Sequence, residues 1–223
     1  MTAGRRHPHP GLFVTFEGGD GAGKTTQSAM LETWLTGAGS TVVRTREPGG
    51  TEVGLLIRDI VLHHRGEVAP RAEALLYAAD RAHHIATVVR PALERGDVVI
   101  QDRYFDSSVA YQGAGRVLGR DEVRDLSLWA TEGLLPDLTV LLDLAPEVAR
   151  ARLDADDKPF DRLEAEKAAF HARVRAEFLE LAAAEPDRFL VLDALEQPEA
   201  LAAVVRERVS ALLTAAGGVG RAG

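Results

Sequence analysis

The chain has 223 residues, of which 46% are hydrophobic and 27% are charged, a composition typical of a globular domain with its own core. Its formal net charge of −8 argues against a general nucleic-acid-binding surface, which requires an excess of Lys and Arg facing phosphates. The absence of cysteine excludes disulfides and Cys-based metal sites. Because we find neither a membrane-spanning apolar stretch nor a signal-peptide core, we expect a cytoplasmic protein that binds neither membranes nor nucleic acids.

Apolar, β-branched runs alternate with helical patterns along the whole chain. The runs predict five strands, at 12–17, 40–46, 97–102, 138–143 and 188–193. Such alternation predicts an α/β fold, a parallel sheet covered by helices on both faces, with ligands beyond the carboxyl ends of the strands. A strong helix is predicted over 72–89, and Pro91 is expected to end or kink it. We predict a single domain over 11–215, with disordered tails at 1–10 and 216–223.

The segment GGDGAGKTT (18–26) fits the phosphate-binding pattern G-x-x-x-x-G-K-[ST]. It follows a predicted strand and opens a predicted helix, so free backbone N–H groups can bind phosphate, and a Gly-rich turn without a ligand is the alternative. Lys24 is predicted to reach the β- and γ-phosphates and the Thr25 hydroxyl to hold Mg²⁺. No lysine lies in a guanine-reading [NT]-K-x-D motif, so ATP is the expected donor. The predicted ATP contacts are Gly18, Gly19, Asp20, Gly21, Ala22, Gly23, Lys24, Thr25 and Thr26.

A second group of polar residues follows the apolar strand VVIQD. Asp102 ends this strand as a Walker-B carboxylate would, aimed at the Mg²⁺ of the phosphate loop, and Asp143 after LTVLLD is the alternative. Arg103 follows at once and could serve phosphate. The next ten residues contain several hydroxyl side chains and one side-chain amide, and such groups could bind a polar planar ligand. The alternative is an ordinary loop. Tyr77 and Arg81 share a helix face, so Tyr77 could stack on a base and Arg81 could bond the carbonyl of that base. The alternative is that Tyr77 is a core residue and Arg81 is a surface residue.

Five motifs appear in order: FEGGDGAGKTT, REPGGT, LLYAADR, DRYFDSSVAYQG and DRLE. Together they resemble the bacterial thymidylate kinase (dTMP kinase) family, over about residues 11–213. The resemblance implies a P-loop nucleoside-monophosphate kinase fold, a three-layer sandwich with a short mobile lid. It also implies a homodimer and the reaction ATP + dTMP → ADP + dTDP with Mg²⁺.

The resemblance implies a role for each matching residue. Tyr77 would stack on thymine, Arg81 would bond thymine O4, and Tyr111 would disfavour ribonucleotides. Asp20 would accept a hydrogen bond from the 3′-hydroxyl of dTMP. The implied dTMP contacts are Asp20, Glu47, Arg58, Tyr77, Arg81, Arg103, Ser108, Tyr111 and Gln112, and the implied metal site comprises Thr25, Asp102 and Glu47.

The polar break over 151–164 occupies the position of the lid. Because the phosphate loop has no arginine, the resemblance implies that the lid supplies one to the transition state. Arg162 in DRLE matches best, which makes Lys24, Arg103 and Arg162 the predicted catalytic residues. The other candidate cations are Arg150, Arg152 and Lys158, and a solvated loop is the alternative for this acidic segment. The adenine site is placed by position alone at residues 194–197.

Two other functions are compatible with the same motifs. One is a kinase of this fold that acts on another nucleotide or on a deoxynucleoside. The other is a non-catalytic nucleotide-binding regulator, which the intact Lys24, Thr25, Asp102 and Arg103 argue against.

Overall fold

The computed structural model describes residues 6–116, 118–155 and 160–217. They form a five-stranded, all-parallel sheet in the order β2-β3-β1-β4-β5, which confirms the predicted α/β fold. The strands are β1 (Leu12–Glu17), β2 (Val42–Arg46), β3 (Val98–Asp102), β4 (Leu138–Asp143) and β5 (Phe189–Asp193). β1 and β4 have the predicted bounds, and the other three begin one or two residues later than predicted.

Two hydrophobic cores cover the two faces of the sheet. Phe13 of β1 packs into one core, whereas Leu12, Val14 and Phe16 pack into the other. Successive side chains of a strand point to opposite faces, so a strand buried on both faces must be apolar at nearly every position. This explains the continuous apolar runs of the central strands and identifies the carboxyl edge of the sheet as the place for polar function.

Nine helices and two π-helical segments lie in the described ranges. The helices are α1 (Lys24–Gly37), α2 (Glu52–His63), α3 (Pro70–His84), α4 (Arg90–Glu94), α5 (Phe105–Ser108), α6 (Arg120–Ala130), α7 (Pro146–Ala155), α8 (Ala168–Ala184) and α9 (Pro198–Gly217). π-Helical segments at Ile85–Val89 and Val109–Gly115 follow α3 and α5. Pro91 does not end the helical run, because it lies in the first turn of α4.

The predicted N-terminal tail contains an ordered part. His7 is buried, its Nε2 lies 3.1 Å from Asp137 Oδ2, and the Arg6 N–H donates to Asp137 Oδ1 at 2.9 Å. Arg6 and His7 therefore contact the domain, and the disordered tail over 1–10 otherwise stays a prediction. Residues 1–5, and residues 218–223 of the predicted C-terminal tail, lie outside the described part of the chain.

Parts of the predicted lid and of the predicted C-terminal tail lie in helices of the structure. Residues 151–155 of the predicted lid belong to α7, and residues 216–217 belong to α9. Lys158, one of the candidate lid cations, lies outside the described residues. Within the described ranges, no helix has both the length and the apolar character needed to cross a membrane.

Candidate active site

The phosphate loop connects β1 to α1 at the carboxyl edge of the sheet. Gly18, Gly21 and Gly23 have φ angles of 127°, 74° and 95°, which favour glycine. A Cβ on Gly18 would lie 2.4 Å from the Leu142 carbonyl oxygen of β4, so this position also needs glycine for space. Lys24 Nζ donates to the carbonyls of Gly18 and Gly19 at 3.1 and 2.7 Å. Its ammonium is therefore held over the loop in which phosphate was predicted to bind.

Asp102, rather than Asp143, lies beside the predicted metal-binding threonine. Thr25 Oγ1 donates to Asp102 Oδ2 at 3.2 Å. Asp143 instead forms a bidentate ion pair with Arg175 on α8, at 2.7 and 2.8 Å. Thr25 and Asp102 present hydroxyl and carboxylate oxygens, the donors that Mg²⁺ prefers when substrate phosphates and water complete its coordination. No cluster of three or more candidate metal-ligating side chains occurs in residues 6–116, 118–155 and 160–217.

Glu47 is committed to a buried network. Its Oε2 accepts from Arg81 Nε at 2.8 Å, and its Oε1 lies 3.0 Å from Nδ1 of His84. Both oxygens thus have a partner and Arg81 offsets the carboxylate charge, which opposes the predicted role of Glu47 as a metal ligand. In this structure Glu47 orients Arg81, and its role as a metal ligand stays a prediction.

Asp20 and Arg103 form an ion pair at the centre of the site. Arg103 also donates from Nη1 to the Gly18 carbonyl and to Ser107 Oγ, both at 3.1 Å. Asp20 Oδ2 accepts from the Tyr111 hydroxyl at 3.3 Å. Burial alone would raise the pKa of Asp20, but Arg103 and Lys24 outweigh it and lower the pKa to about 2. The carboxylate within the phosphate loop is therefore turned toward residues predicted to bind the acceptor.

Sequence reasoning missed Glu17, the last residue of β1. Its carboxylate is fully buried and accepts from the Tyr104 N–H at 2.7 Å and from Ser107 Oγ at 2.5 Å. Ser107 in turn accepts from Arg103, whose φ of 65° lies in the left-handed region. Burial and the nearby Asp106 raise the pKa of Glu17. The residue holds the backbone after β3 in the shape that presents Arg103, and an acid ending an apolar strand was the available signal.

The predicted base contacts line a cavity of about 80 Å³. Four of them lie there together: Tyr77, Arg81, Ser108 and Gln112. Arg81 is only 2% exposed, so the alternative in which it is a surface residue is wrong. Its guanidinium donates to Ser108 Oγ at 2.9 Å and to Ser127 Oγ at 3.1 Å. The loop alternative for the residues after Arg103 is also wrong, because Phe105–Ser108 and Val109–Gly115 are helical.

A larger cleft of about 470 Å³ lies along the phosphate loop and is lined by Lys24, Thr25 and Asp102. The phosphate cleft and the base cavity share four lining residues: Asp20, Glu47, Arg58 and Arg103. Arg58, an implied acceptor contact, donates from Nη1 to the Pro48 carbonyl at 3.1 Å. The two spaces therefore meet at a point lined by two arginines and two carboxylates.

The candidate lid cations have different positions. Arg162 donates to the Val61 carbonyl at 2.9 Å and pairs with buried Glu73, and it does not line the phosphate cleft. Arg152 does line it, and donates to the carbonyls of Gly21 at 3.1 Å and Ala194 at 2.9 Å. The structure thus brings Arg152 to the phosphate loop, whereas the predicted Arg162 pairs with Glu73 away from the phosphate cleft.

Arg150 is the third described candidate for the lid cation. It pairs with Asp154 at 3.1 Å, and its guanidinium carbon lies 3.8 Å from the centroid of the Phe160 ring. Both of these partners belong to the lid region, and Arg150 lines a cavity that also contains Gly18, Gly19 and Asp20.

Asp80 is a buried carboxyl near Glu47, and its replacement tests the electrostatics of this buried network. It is fully buried, accepts from the Gly49 N–H at 3.2 Å, and leaves its Oδ2 without a hydrogen bond. Burial and Glu47 raise its pKa to about 6. Since this pKa lies above that of an unfolded Asp, the carboxyl's contribution to stability is full at low pH and is lost as the pH rises through 6.

We therefore predict that Asp80→Asn raises the free energy of unfolding by about 1–3 kcal/mol at pH 8, and by about half of that at pH 5. Urea unfolding at the two pH values measures both differences. Asp59→Asn, an exposed change on α2, serves as the control and should shift neither. An Asp80→Asn variant that is less stable than the parent at pH 8 would contradict the assignment.

Comparison with known proteins decides the family. A model of the family described as thymidylate kinase matches residues 16–205. The chain belongs to the thymidylate kinase family. As a thymidylate kinase it uses ATP and phosphorylates dTMP to dTDP, and the alternatives of a non-catalytic regulator and of another acceptor are set aside.

Curated thymidylate kinases from several bacteria match this thymidylate kinase over nearly its full length. The protein of Leifsonia xyli subsp. xyli is 70% identical over 200 residues, which cover 90% of this chain and 95% of the relative. That of Clavibacter michiganensis subsp. michiganensis is 67% identical over 205 residues, which cover 92% and 97%. The Deinococcus radiodurans thymidylate kinase is 52% identical over 200 residues, which cover 90% and 97%.

Proposed function

We propose that this thymidylate kinase binds ATP along the phosphate loop and dTMP in the base cavity, with the reacting phosphates meeting at Arg103. The observation that carries the proposal is the shared boundary of the two cavities, lined by Asp20, Glu47, Arg58 and Arg103. A donor in one cavity and an acceptor in the other would approach each other at these residues. Such positioning supplies much of the catalysis in phosphoryl transfer, which needs little covalent chemistry.

The acceptor phosphate of dTMP is itself an anionic nucleophile, so no general base is required. The main obstacle is repulsion between two anions, and fixed positive charge offsets it. Lys24 and the backbone N–H groups of residues 18–26 would bind the donor phosphates, and Arg103 would bind the acceptor phosphate. Thr25 and Asp102 would hold Mg²⁺, whose charge neutralises the phosphate oxygens as they react.

Arg152 is the cation that we propose for the transition state on the donor side. Its side chain crosses from α7 to the Gly21 carbonyl of the phosphate loop. It is part of the lid region and lines the phosphate cleft, so nucleotide binding can exchange its carbonyl partner for phosphate oxygens. Arg152 also donates to the carbonyl of Ala194, which belongs to the segment predicted to bind adenine. The proposed phosphate contact and the proposed adenine contact would therefore be neighbours.

A homodimer, implied by the resemblance, remains a proposal. Large apolar side chains are exposed on three neighbouring helices: Val53, Leu55, Leu56 and Ile60 on α2, Leu75 on α3, and Trp129 on α6. An exposed apolar surface of this kind is typical of a protein interface. Light scattering of the purified chain tests the oligomeric state. The cytoplasmic location stays a prediction.

Asp20→Ala tests the placement of the two substrates. Asp20 belongs to the phosphate loop, yet its partners are Arg103 and Tyr111. If its carboxylate accepts from the 3′-hydroxyl of dTMP, we expect the KM for dTMP to rise about 10-fold or more, from loss of one charge-assisted hydrogen bond. The KM for ATP should change less than about twofold, because the backbone donors of the loop remain.

The 3′-deoxy analogue of dTMP is the matched control. The wild-type enzyme should prefer dTMP over this analogue by about 10-fold, and the variant should show almost no preference. A variant that keeps the full wild-type preference would show that the 3′-hydroxyl binds elsewhere. A rise in the KM for ATP alone would show that Asp20 contacts ATP and not dTMP.

A further inference from the structure

Glu73 is a buried carboxylate behind the base cavity that no motif singled out. It lies on α3, one turn before Tyr77, and is 0% exposed. Its Oε1 accepts from the Gln112 side-chain nitrogen at 2.8 Å and from Arg116 Nε at 3.3 Å. Its other oxygen pairs with Arg162. Glu73 therefore joins Gln112, in the wall of the base cavity, to Arg162 of the lid segment.

The Gln112 nitrogen and two guanidinium groups all donate to Glu73, whose carboxyl oxygens therefore act as hydrogen-bond acceptors. An amide offers two donors on nitrogen and an acceptor on oxygen. The Gln112 NH₂ group must therefore face Glu73, and its carbonyl oxygen must face the opposite way. Glu73 thus selects one of the two orientations of an amide that is only 1% exposed and lines the base cavity.

The same cavity also carries a fixed donor. Arg81 is held by Glu47, Ser108 and Ser127, and its guanidinium can only donate. The cavity consequently presents a donor from Arg81 and an acceptor from Gln112. A pyrimidine with a C4 carbonyl and an N3–H, as in thymine and uracil, complements this pair. Cytosine has an amino group at C4 and a bare N3, so it would set donor against donor and acceptor against acceptor.

We propose that Glu73 is a specificity-determining positioning residue, which orients the Gln112 amide so that the enzyme accepts 4-oxo pyrimidine monophosphates and rejects cytidylates. The inference rests on the proposed placement of the base beside Arg81 and Gln112. In this arrangement Glu73 touches no substrate and acts through Gln112. Unpaired buried polar groups make such discrimination large.

Glu73→Gln tests the proposal, because glutamine keeps the shape of Glu73 but can face Gln112 with either its oxygen or its nitrogen. The measurement is kcat/KM for dTMP, dUMP and dCMP. We expect the preference for dTMP over dCMP to fall about 10-fold or more. The ratio of dTMP to dUMP should stay at the wild-type value, because these bases share the same C4 and N3 groups and differ by a methyl group. General loosening of the cavity would change both ratios.

Arg116→Gln is the matched control. It removes another partner of Glu73 and leaves the Glu73–Gln112 hydrogen bond in place, so its preference for dTMP over dCMP should match wild type. If Glu73→Gln does not fold, as judged by thermal melting, Glu73→Asp keeps the charge, withdraws the oxygens from Gln112, and should shift the same ratio in the same direction. An unchanged dTMP-to-dCMP ratio in a folded Glu73 variant, or an equal loss in Arg116→Gln, would overturn the proposal. A wild-type enzyme that turns over dCMP as well as dTMP would instead count against the placement of the base.

Discussion

Lys24→Ala is expected to lower kcat by about 100-fold or more, the effect of removing one fixed charge that stabilises the transition state. Lys24 is buried in the phosphate loop and held by the carbonyls of Gly18 and Gly19. Burial and the nearby Arg103 lower its pKa, and Asp20 and Asp102 oppose that effect. Loss of the ammonium would remove the donor-side charge where negative charge develops, so kcat should fall more than the affinity for ATP.

A coupled assay that follows ADP formation with dTMP as acceptor measures this loss. Lys167→Ala is the matched control, since Lys167 is an exposed lysine at the start of α8 and its removal changes the net charge equally. The control should keep wild-type kinetics. Near-normal turnover by Lys24→Ala would contradict the assignment of the phosphate loop as the donor site.

Arg152→Ala should produce the second large effect, a fall in kcat on the order of 10- to 100-fold. Arg152 is the described lid-region arginine that donates to the backbone of the phosphate loop, through Gly21. An arginine placed there can bind the transferred phosphoryl group as its charge spreads over the equatorial oxygens. Its removal should therefore affect the rate of transfer more than the binding of ATP.

Arg150→Ala separates this role from general effects on the lid. Arg150 lies two residues earlier on α7, pairs with Asp154 and stacks on Phe160, so its loss removes the same charge from the same helix. Its kcat should stay within about threefold of wild type, the range expected for an exposed ion pair. A higher KM for ATP with unchanged kcat in Arg152→Ala would show that the arginine binds the nucleotide only in the ground state. An equal loss of kcat in both variants would show that the effect comes from a general disturbance of the lid and not from Arg152 itself.

Much of this site could be predicted because its residues are close in sequence. Lys24 and Thr25 lie within one loop of nine residues, and Asp102 ends an apolar strand whose parallel pairing with β1 brings it to the same edge. Contiguous motifs and the period of a buried strand carry this information without knowledge of the tertiary contacts. The partners of the Glu47 carboxylate, Arg81 and His84, could not be predicted, because they are more than thirty residues away.

The sequence by itself determined the class of fold, the phosphate loop and the family, since strand periodicity and ordered motifs depend on local spacing. Only the tertiary structure gave different surroundings to Arg152 and Arg162, which lie ten residues apart in one polar segment, and the catalytic role of Arg152 stays a proposal. α7 brings Arg152 to Gly21, whereas Arg162 pairs with Glu73, 89 positions away. Glu17 and Glu73 likewise gained their roles from distant donors, because a buried carboxylate is stabilised by whichever hydrogen-bond partners the fold places beside it.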